Sequence, residues 1–118
     1  MEVLDNEIVS VYEDDNIIVR PSPIEGLGSF TKRPFKKGEV VFVWHPKVLT
    51  KEEVETLPED QKRYFDTRAD GTPILMQIPE RYVNWATDPN TALDGESDVA
   101  LRDIAVGEEI TSAYPVDQ

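Results

Sequence analysis

The sequence contains no cysteine and a single histidine, and these two shortages exclude several kinds of chemistry. Without cysteine there is no disulfide framework, no thiol nucleophile, no iron–sulfur cluster and no zinc site with sulfur ligands. One histidine removes nearly every metal site that uses imidazole ligands. Long apolar runs are missing too, since none approaches the roughly 18 residues of a membrane-spanning helix, and no secretory signal opens the chain. We therefore expect a cytoplasmic protein with no metal centre and no membrane segment.

Positive charge is also scarce, because 12 lysines and arginines stand against 24 aspartates and glutamates, a formal net charge of −12. Phosphate backbones repel such a chain, so direct binding of nucleic acid is not expected. The acids concentrate near both ends, in segments 1–16 and 94–117. An acidic surface attracts basic proteins or peptides, whereas solubility is the more common reason for acidity. Charge alone leaves both explanations open.

The chain has 118 residues, the usual size of one domain with one hydrophobic core, so we treat 1–118 as a single domain. Short runs rich in β-branched and aromatic residues fill the first 46 residues, separated by glycine and proline turns. The runs at 7–12 and 16–20 flank an acidic turn and predict an N-terminal hairpin. A further apolar run at 74–78 predicts a strand, and short strands with turns follow it. The sequence is therefore expected to be mainly β.

One segment has a helical pattern instead. Thr50 and Glu53 have the spacing of a capping box, in which each side chain bonds the backbone of the other residue. Pro58 interrupts the pattern, since proline costs about 3 kcal/mol inside a helix but suits its first turn. We therefore predict a short helical insert over about 50–65, divided into helices near 51–56 and 58–65.

Two short segments offer groups that a ligand could use. Gly26, Leu27 and Gly28 would let a ligand approach the backbone closely, because neither glycine carries a Cβ, although such a pair is more often a plain turn. Asn84 and Trp85 offer an amide and an indole, but a buried structural asparagine is the more common case. No third glycine stands at the spacing of a dinucleotide-binding fingerprint. Taken singly, neither segment identifies a function.

Other residues with reactive side chains are equally ambiguous when taken alone. Glu108 and Glu109 are neighbours, and neighbouring residues in a strand point to opposite faces, so they make a poor pair for acid–base catalysis. Tyr114 is most simply an aromatic residue at a strand end, and His45 an ordinary core or surface histidine. No nucleophile elbow, phosphate-binding loop or calcium-binding loop is present.

The order of the motifs is more informative than any one of them. The series is Gly26-Leu27-Gly28-Ser29-Phe30, Lys37-Gly38-Glu39-Val40-Val41, Arg81-Tyr82-Val83-Asn84 with Asp88-Pro89-Asn90, Ala100-Leu101-Arg102-Asp103-Ile104, and Gly107-Glu108-Glu109-Ile110-Thr111 ending at Tyr114. It resembles the SET domain of protein lysine methyltransferases over about residues 17–114. The resemblance implies several small β-sheets and a C-terminal segment threaded past a loop as a pseudoknot, which brings 81–90 against 109–114.

The resemblance also implies a site. The family binds S-adenosylmethionine with the backbone of its GxG segment, here Gly26–Gly28, and with an asparagine and the residue after it, here Asn84 and Trp85. Tyr114 matches the active-site tyrosine, whose hydroxyl would orient the lysine amine and the methyl group. The helical insert at 50–65 falls where the family carries a variable segment that helps to form the substrate groove.

Several positions depart from the family pattern. Trp85-Ala86-Thr87 stands where the family usually has His-Ser-Cys, Ser112-Ala113 replaces Tyr-Asp, and Trp44 stands where a channel-lining tyrosine is usual. We place Trp44 and Tyr82 along the substrate channel. Only 115–118 follow the matched tyrosine, so the post-SET segment with its zinc-binding cysteines is not in this sequence. We therefore expect a second copy of the chain to close the site in a homodimer.

Together these features lead us to expect a methyltransferase that transfers a methyl group from S-adenosylmethionine to a lysine of a basic protein or peptide. Positioning does most of the work in such an in-line displacement, and it requires no metal. Because free lysine has a pKa of about 10.4, the site must lower it by desolvation and by the nearby sulfonium charge. The alternative is a SET-like binding module that has lost cofactor or channel function.

Overall fold

The computed structural model describes residues 12–113, which form four small β-sheets, one short α-helix and two 3₁₀ helices. The strands are β1 (Tyr12–Glu13), β2 (Ile17–Pro21), β3 (Leu27–Thr31), β4 (Val40–Val43), β5 (Lys47–Val48), β6 (Phe65–Thr67), β7 (Pro73–Leu75), β8 (Asn84–Trp85), β9 (Thr91–Leu93), β10 (Ser97–Ala100) and β11 (Thr111–Ser112). The helices are α1 (Lys51–Glu55) and the 3₁₀ segments Glu59–Tyr64 and Glu80–Tyr82. The mainly β prediction is confirmed, and no helix within this range is long and apolar enough to span a membrane.

The first sheet has the order β1-β2-β3, and both of its pairings are antiparallel. Asp14 shapes the turn before β2, because its Oδ1 accepts hydrogen bonds from the backbone N–H groups of Asn16 and Ile17 at 2.7 and 2.8 Å. The hairpin is therefore present where the sequence predicts it, with a first strand of two residues. The rest of the predicted first strand, 7–11, lies outside the described residues.

The second sheet has the order β4-β10-β9, so the last strand of this sheet along the chain lies at its centre. The main core cluster consists of Ile17, Phe35, Phe42, Ala100, Ile104 and Ile110. Full burial of one such side chain contributes roughly 1.5–3 kcal/mol. Val83 packs against this cluster and Ile110 is fully buried, so the core fixes the backbone immediately beside Asn84 and Glu109.

Two similar turns pack against each other next to this core. Gly38 and Gly107 adopt φ values of 89° and 87°, which glycine reaches without steric cost. Phe35 and Ile104, three residues before these glycines, exchange backbone N–H···O bonds of 2.9 and 2.8 Å. The pairing joins the segment that leads into β4 to the segment that leads into β11.

The first helix of the insert forms as predicted, whereas the second has a different helix type from the one expected. Thr50 caps α1 with the full capping box, since its side chain accepts from the Glu53 N–H at 3.1 Å and the Glu53 carboxylate accepts from the Thr50 N–H at 2.8 Å. Pro58 separates the two helices, as expected. The second helix, Glu59–Tyr64, is 3₁₀ rather than α.

A third sheet, with the order β5-β7-β6, joins the segments on either side of the helical insert. The predicted strand at 74–78 is shorter in the structure, where it covers Pro73–Leu75, and its partner β6 was not predicted. Arg68, which follows β6, binds Glu96, which precedes β10, through two nitrogens at 2.8 and 3.1 Å. This bidentate pair connects the third sheet to the second sheet.

The fourth sheet is the parallel pair β8–β11, with Thr111 opposite Asn84 and Ser112 opposite Trp85. Asn90 strengthens it, because its Oδ1 accepts from the Thr111 N–H at 2.8 Å and its Nδ2 donates to the Glu109 carbonyl at 2.8 Å. The C-terminal segment therefore lies against 84–90, as the resemblance implies.

Candidate functional site

The glycine-containing segment forms one side of a tight loop between β2 and β3. The loop closes through a bond of 2.8 Å from the Ser22 N–H to the carbonyl of Gly26. Gly26 has a φ of 48°, in the left-handed region that disfavours residues with a Cβ. A Cβ there would meet no other atom within 4 Å, so backbone conformation alone requires this glycine.

Asn84 ties this loop to the parallel pair β8–β11. Its Nδ2 lies 3.1 Å from the carbonyl oxygen of Glu25, 3.2 Å from that of Leu27 and 3.2 Å from Ser22 Oγ. The shortest of its bonds, 2.8 Å, is to Glu109 Oε2. The structure therefore brings together the two segments that the sequence analysis singled out.

Glu109 lies directly behind the second glycine of the loop. A Cβ added to Gly28 would overlap the Glu109 carboxylate, so this position admits only glycine while the carboxylate stays in place. Ser22 Oγ donates to the same carboxylate, at 2.9 Å from Oε1 and 2.8 Å from Oε2. Glu108 faces elsewhere and binds Arg102 at 2.6 Å, which agrees with the expectation that the two glutamates do not form an acid–base pair.

Sequence reasoning missed Ser22 and Glu109 as members of this site. Glu109 had a usable signal, because it belongs to the motif Gly107-Glu108-Glu109-Ile110-Thr111 and that motif pairs with the segment of Asn84. Ser22 had none, since it is separated from Glu109 by 87 positions and belongs to no motif. Only the folded chain brings its hydroxyl to the carboxylate.

The remaining predicted residues of the site are distributed around it. Trp85 follows Asn84 on β8 and is 51% exposed. Tyr82 packs edge-on against Tyr64 of the insert, with ring centroids 5.7 Å apart. Tyr114 lies outside the described residues.

Trp44 belongs to a separate set of contacts. Its Nε1 donates to Asp98 Oδ2 at 3.0 Å, and Asp98 is only 3% exposed. Burial is the main reason that the pKa of Asp98 is raised to about 6; the bond from Trp44 opposes this effect and the charge of Glu80 adds to it, and the value of about 6 includes all three. The next residue, His45, binds the buried Glu80 carboxylate through its backbone N–H and Nδ1, at 3.0 and 2.9 Å.

A surface cavity of about 460 Å³ opens beside Trp44, between the third and second sheets. Segment 66–70, Ile74 and the turn Gly95-Glu96 complete its lining. Three carboxylates and one arginine face it, and that arginine is already paired with Glu96. In the part of the chain that the structure describes, no group of three or more histidine, aspartate or glutamate side chains is arranged to hold a metal ion.

Comparisons with known proteins agree with this architecture. A sequence model of the SET domain matches residues 26–115, which is more than half of the chain. Among solved structures, the fold is similar to that of a Plasmodium falciparum protein described as a candidate histone methyltransferase, with a TM-score of 0.69 and 19% sequence identity over 89% of this chain and 97% of that one. No curated protein sequence matches. The matched segment includes both glycines, Asn84 and Glu109, and the chain belongs to the SET domain family.

Proposed function

We propose that this protein is an S-adenosylmethionine-dependent protein lysine N-methyltransferase that acts on a basic protein or peptide. One observation carries the proposal: the loop of Gly26–Gly28, the Asn84 amide and the Glu109 carboxylate form a single hydrogen-bonded unit beside β8–β11. Membership of the SET domain family supports the type of reaction. The net charge of −12 and the acidic cavity beside Trp44 support a basic substrate.

The residues of the site fit such a cofactor, which supplies a methyl group on a positively charged sulfur when it is bound. The space beside Gly26 is open, so a ligand can reach the loop backbone there. The Glu109 carboxylate makes the potential behind the loop negative, which complements a cationic ligand. Trp85 is half exposed and offers a flat apolar surface.

The aromatic residues would act on the lysine side chain. The Tyr114 hydroxyl would accept a hydrogen bond from the amine and hold its lone pair toward the methyl group. Because an unperturbed tyrosine has a pKa near 10, this hydroxyl orients the amine rather than acting as a strong base. Tyr82, supported by Tyr64, and Trp44 would line the channel, where desolvation lowers the pKa of the amine.

A specific observation favours the second candidate function, a SET-like binding module without catalytic activity. The Trp44 indole N–H is bonded to the buried Asp98, so this donor is already used within the protein. Such a tryptophan does not replace the hydroxyl of a channel tyrosine. The module would bind a basic partner without methylating it.

Assembly and location complete the proposal. A second copy of the chain would close the cofactor and lysine sites in a homodimer, and the protein would act in the cytoplasm. Light scattering at high protein concentration tests whether the chain forms this homodimer. A monomeric mass would contradict it, since stable dimers bury about 2,000 Å² or more and withstand dilution.

The deciding experiment is a calorimetric titration with S-adenosylmethionine and S-adenosylhomocysteine. We expect micromolar binding, about −8 kcal/mol, and its loss in Asn84→Ala. Asn16→Ala is the matched control, because this exposed asparagine binds Arg33 on another face. A folded protein that gives no binding heat with millimolar cofactor would contradict the cofactor site.

Labelled methyl donor and a mixture of basic proteins then test transfer. Tyr114→Phe should abolish transfer and leave cofactor binding unchanged. Tyr12→Phe is its control, since this hydroxyl binds Asp14 in the first hairpin. Cofactor binding without any transfer would favour the binding module.

A further inference from the structure

His45 and Glu80 form a pair that has no part in the reaction described above. The Glu80 side chain is 1% exposed, whereas the His45 side chain is 62% exposed. One carboxylate oxygen, Oε2, lies 2.9 Å from Nδ1 of the ring and accepts a bond of 3.0 Å from the backbone N–H of the same histidine. A buried carboxylate thus holds both the main chain and the ring of an exposed histidine.

This contact defines which ring nitrogen carries the proton. A carboxylate only accepts hydrogen bonds, so the Nδ1 atom beside it must donate. In the neutral ring, Nε2 is then left without a proton and with its lone pair available. Among residues 12–113, no group forms a hydrogen bond with Nε2 of His45. An imidazole that a carboxylate orients in this way has the arrangement of a general base.

The charges around Glu80 leave this role to the histidine. The charge of Glu80 acts on Asp98 in β10 and on Tyr12 in β1, so both of these titratable groups lie near it. Of the lysines and arginines that the structure describes, none forms an ion pair with Glu80, and Lys47 is paired with Glu53 instead. The carboxylate is therefore available as the counter-ion of a ring that has accepted a proton.

The pair is attached to the segments that carry the proposed channel residues. His45 follows Trp44 directly, and Glu80 belongs to the same 3₁₀ helix as Tyr82. The carbonyl that precedes this helix accepts a bond of 3.0 Å from Ser29 Oγ of β3, the strand that begins in the glycine loop. The pair is thus connected to both proposed walls of the channel and to the strand of the loop.

The proposed reaction needs a proton acceptor, because an unperturbed lysine has a pKa of about 10.4 and is protonated in neutral water. The amine must lose this proton before it can attack, and a tyrosine hydroxyl such as that of Tyr114 is not a strong base. We propose that His45 is the general base of this reaction and that Glu80 is its positioning residue. The inference rests on the proposed function, since it assigns a further catalytic residue to the same site.

The proton transfer balances between the histidine and the substrate. One N–H bond of the lysine ammonium breaks, and its electron pair stays on the nitrogen as the lone pair of the amine. The lone pair of His45 Nε2 forms a new N–H bond to the proton. The products are a neutral amine, which can attack the methyl group, and an imidazolium whose charge the Glu80 carboxylate offsets. The exposed ring then gives the proton to water.

The first test needs neither cofactor nor substrate. His45 is the single histidine of the chain, so nitrogen NMR of the untagged protein shows its ring without ambiguity. At about pH 8 we expect the proton on Nδ1, whereas free histidine carries it mainly on Nε2. Glu80→Met removes the acceptor at similar volume and should restore the pattern of free histidine. Glu80→Gln keeps an oxygen that can accept, and it should retain the proton on Nδ1. A wild-type ring with its proton on Nε2 would overturn the inference, whether or not Glu80→Met folds.

The second test measures the initial rate of methyl transfer to a mixture of basic proteins at low concentration, which is proportional to kcat/KM. His45→Gln should lower this rate about 100-fold at about pH 7.5 and only slightly at about pH 10, where much of the free lysine is already neutral. Glu80→Gln should give a smaller loss with the same pH dependence. Lys47→Gln, which changes an exposed residue two positions away, is the matched control and should behave like wild type.

A loss in His45→Gln that is equal at every pH would show a structural role and overturn the inference, while the proposed function would stand. If the folded wild-type protein transfers no methyl group, the proposed function fails and the role of general base fails with it. The NMR result still decides in that case whether Glu80 orients His45.

Discussion

Replacing Asp98 with asparagine tests whether a buried carboxylate lowers the stability of this protein at neutral pH. Asp98 lies at the centre of the second sheet and is 3% exposed. Its hydrogen bond from Trp44 Nε1 is 3.0 Å long. Its pKa is raised from 3.8 to about 6, chiefly by burial and to a smaller extent by the charge of Glu80, against the opposing effect of the bond from Trp44.

The direction of the pH dependence follows from whether the folded or the unfolded state binds the Asp98 proton more tightly. Because the pKa of Asp98 is higher in the folded protein, its contribution is most favourable in acid and is lost as pH rises from about 4 to about 6. Two pH units between the two pKa values correspond to about 3 kcal/mol. Asparagine stays neutral throughout and keeps an oxygen that can accept from Trp44. We therefore expect the free energy of unfolding of Asp98→Asn, relative to that of the wild-type protein, to increase by about 3 kcal/mol as pH rises from about 4 to about 7.

Urea denaturation followed by circular dichroism, at several values between about pH 4 and pH 8, measures this difference. Other carboxylates act in the opposite direction, since hydrogen bonds lower the pKa values of Glu39, Glu53, Asp70, Glu96 and Glu108. Subtracting wild type from variant cancels their effect. Asp94→Asn, which removes an exposed acid from the same hairpin, is the control. If the difference in the free energy of unfolding between Asp98→Asn and wild type does not change with pH, the reasoning is refuted.

Three further changes test other parts of the structure. Trp44→Phe removes the indole N–H that donates to the buried Asp98 carboxylate, and it should lower the free energy of unfolding by about 1–3 kcal/mol, more at about pH 8 than at about pH 5. Equal losses at the two pH values in urea denaturation would contradict this. Gly28→Ala should lower the free energy of unfolding by about 1–3 kcal/mol, because the added methyl group overpacks against the Glu109 carboxylate. Glu109→Ala should restore part of that loss in the double variant. A double-mutant cycle without coupling would show that the two residues do not compete for space. Thr50→Ala removes the N-cap of α1 and should cost about 1 kcal/mol locally; hydrogen exchange should speed up at the Glu53 amide, and unchanged exchange would exclude the capping role.

The two glycines of the loop are required for different physical reasons, although they belong to one motif. Gly26 is needed for its positive φ, with open space around it. Gly28 is needed because the Glu109 carboxylate occupies the volume of a side chain. A ligand can therefore approach the backbone at Gly26, while the interior face of Gly28 is filled by the protein itself.

Local features of the fold could be predicted where neighbours in the chain determine them. The capping box at Thr50, the division at Pro58 and the first hairpin each depend on residues a few positions apart. The 3₁₀ geometry of Glu59–Tyr64 and the short strand Pro73–Leu75 were not predicted correctly. Pairing between strands within the β5-β7-β6 sheet decides where Pro73–Leu75 begins and ends, and local propensity does not indicate such pairing.

The order of motifs was enough to indicate the SET domain, the glycine loop and Asn84, because each motif is short and has a characteristic spacing. What only the tertiary structure decided is how these side chains are held. Ser22 and Glu109 are 87 positions apart, and Trp44 and Asp98 are 54 apart. Hydrogen bonds over such separations depend on how sheets pack and on which groups that packing removes from water. The sequence by itself thus determined the family and indicated candidate residues of the site, whereas packing decided that the Glu109 carboxylate contacts both Gly28 and Asn84 and that the Trp44 indole bonds to Asp98.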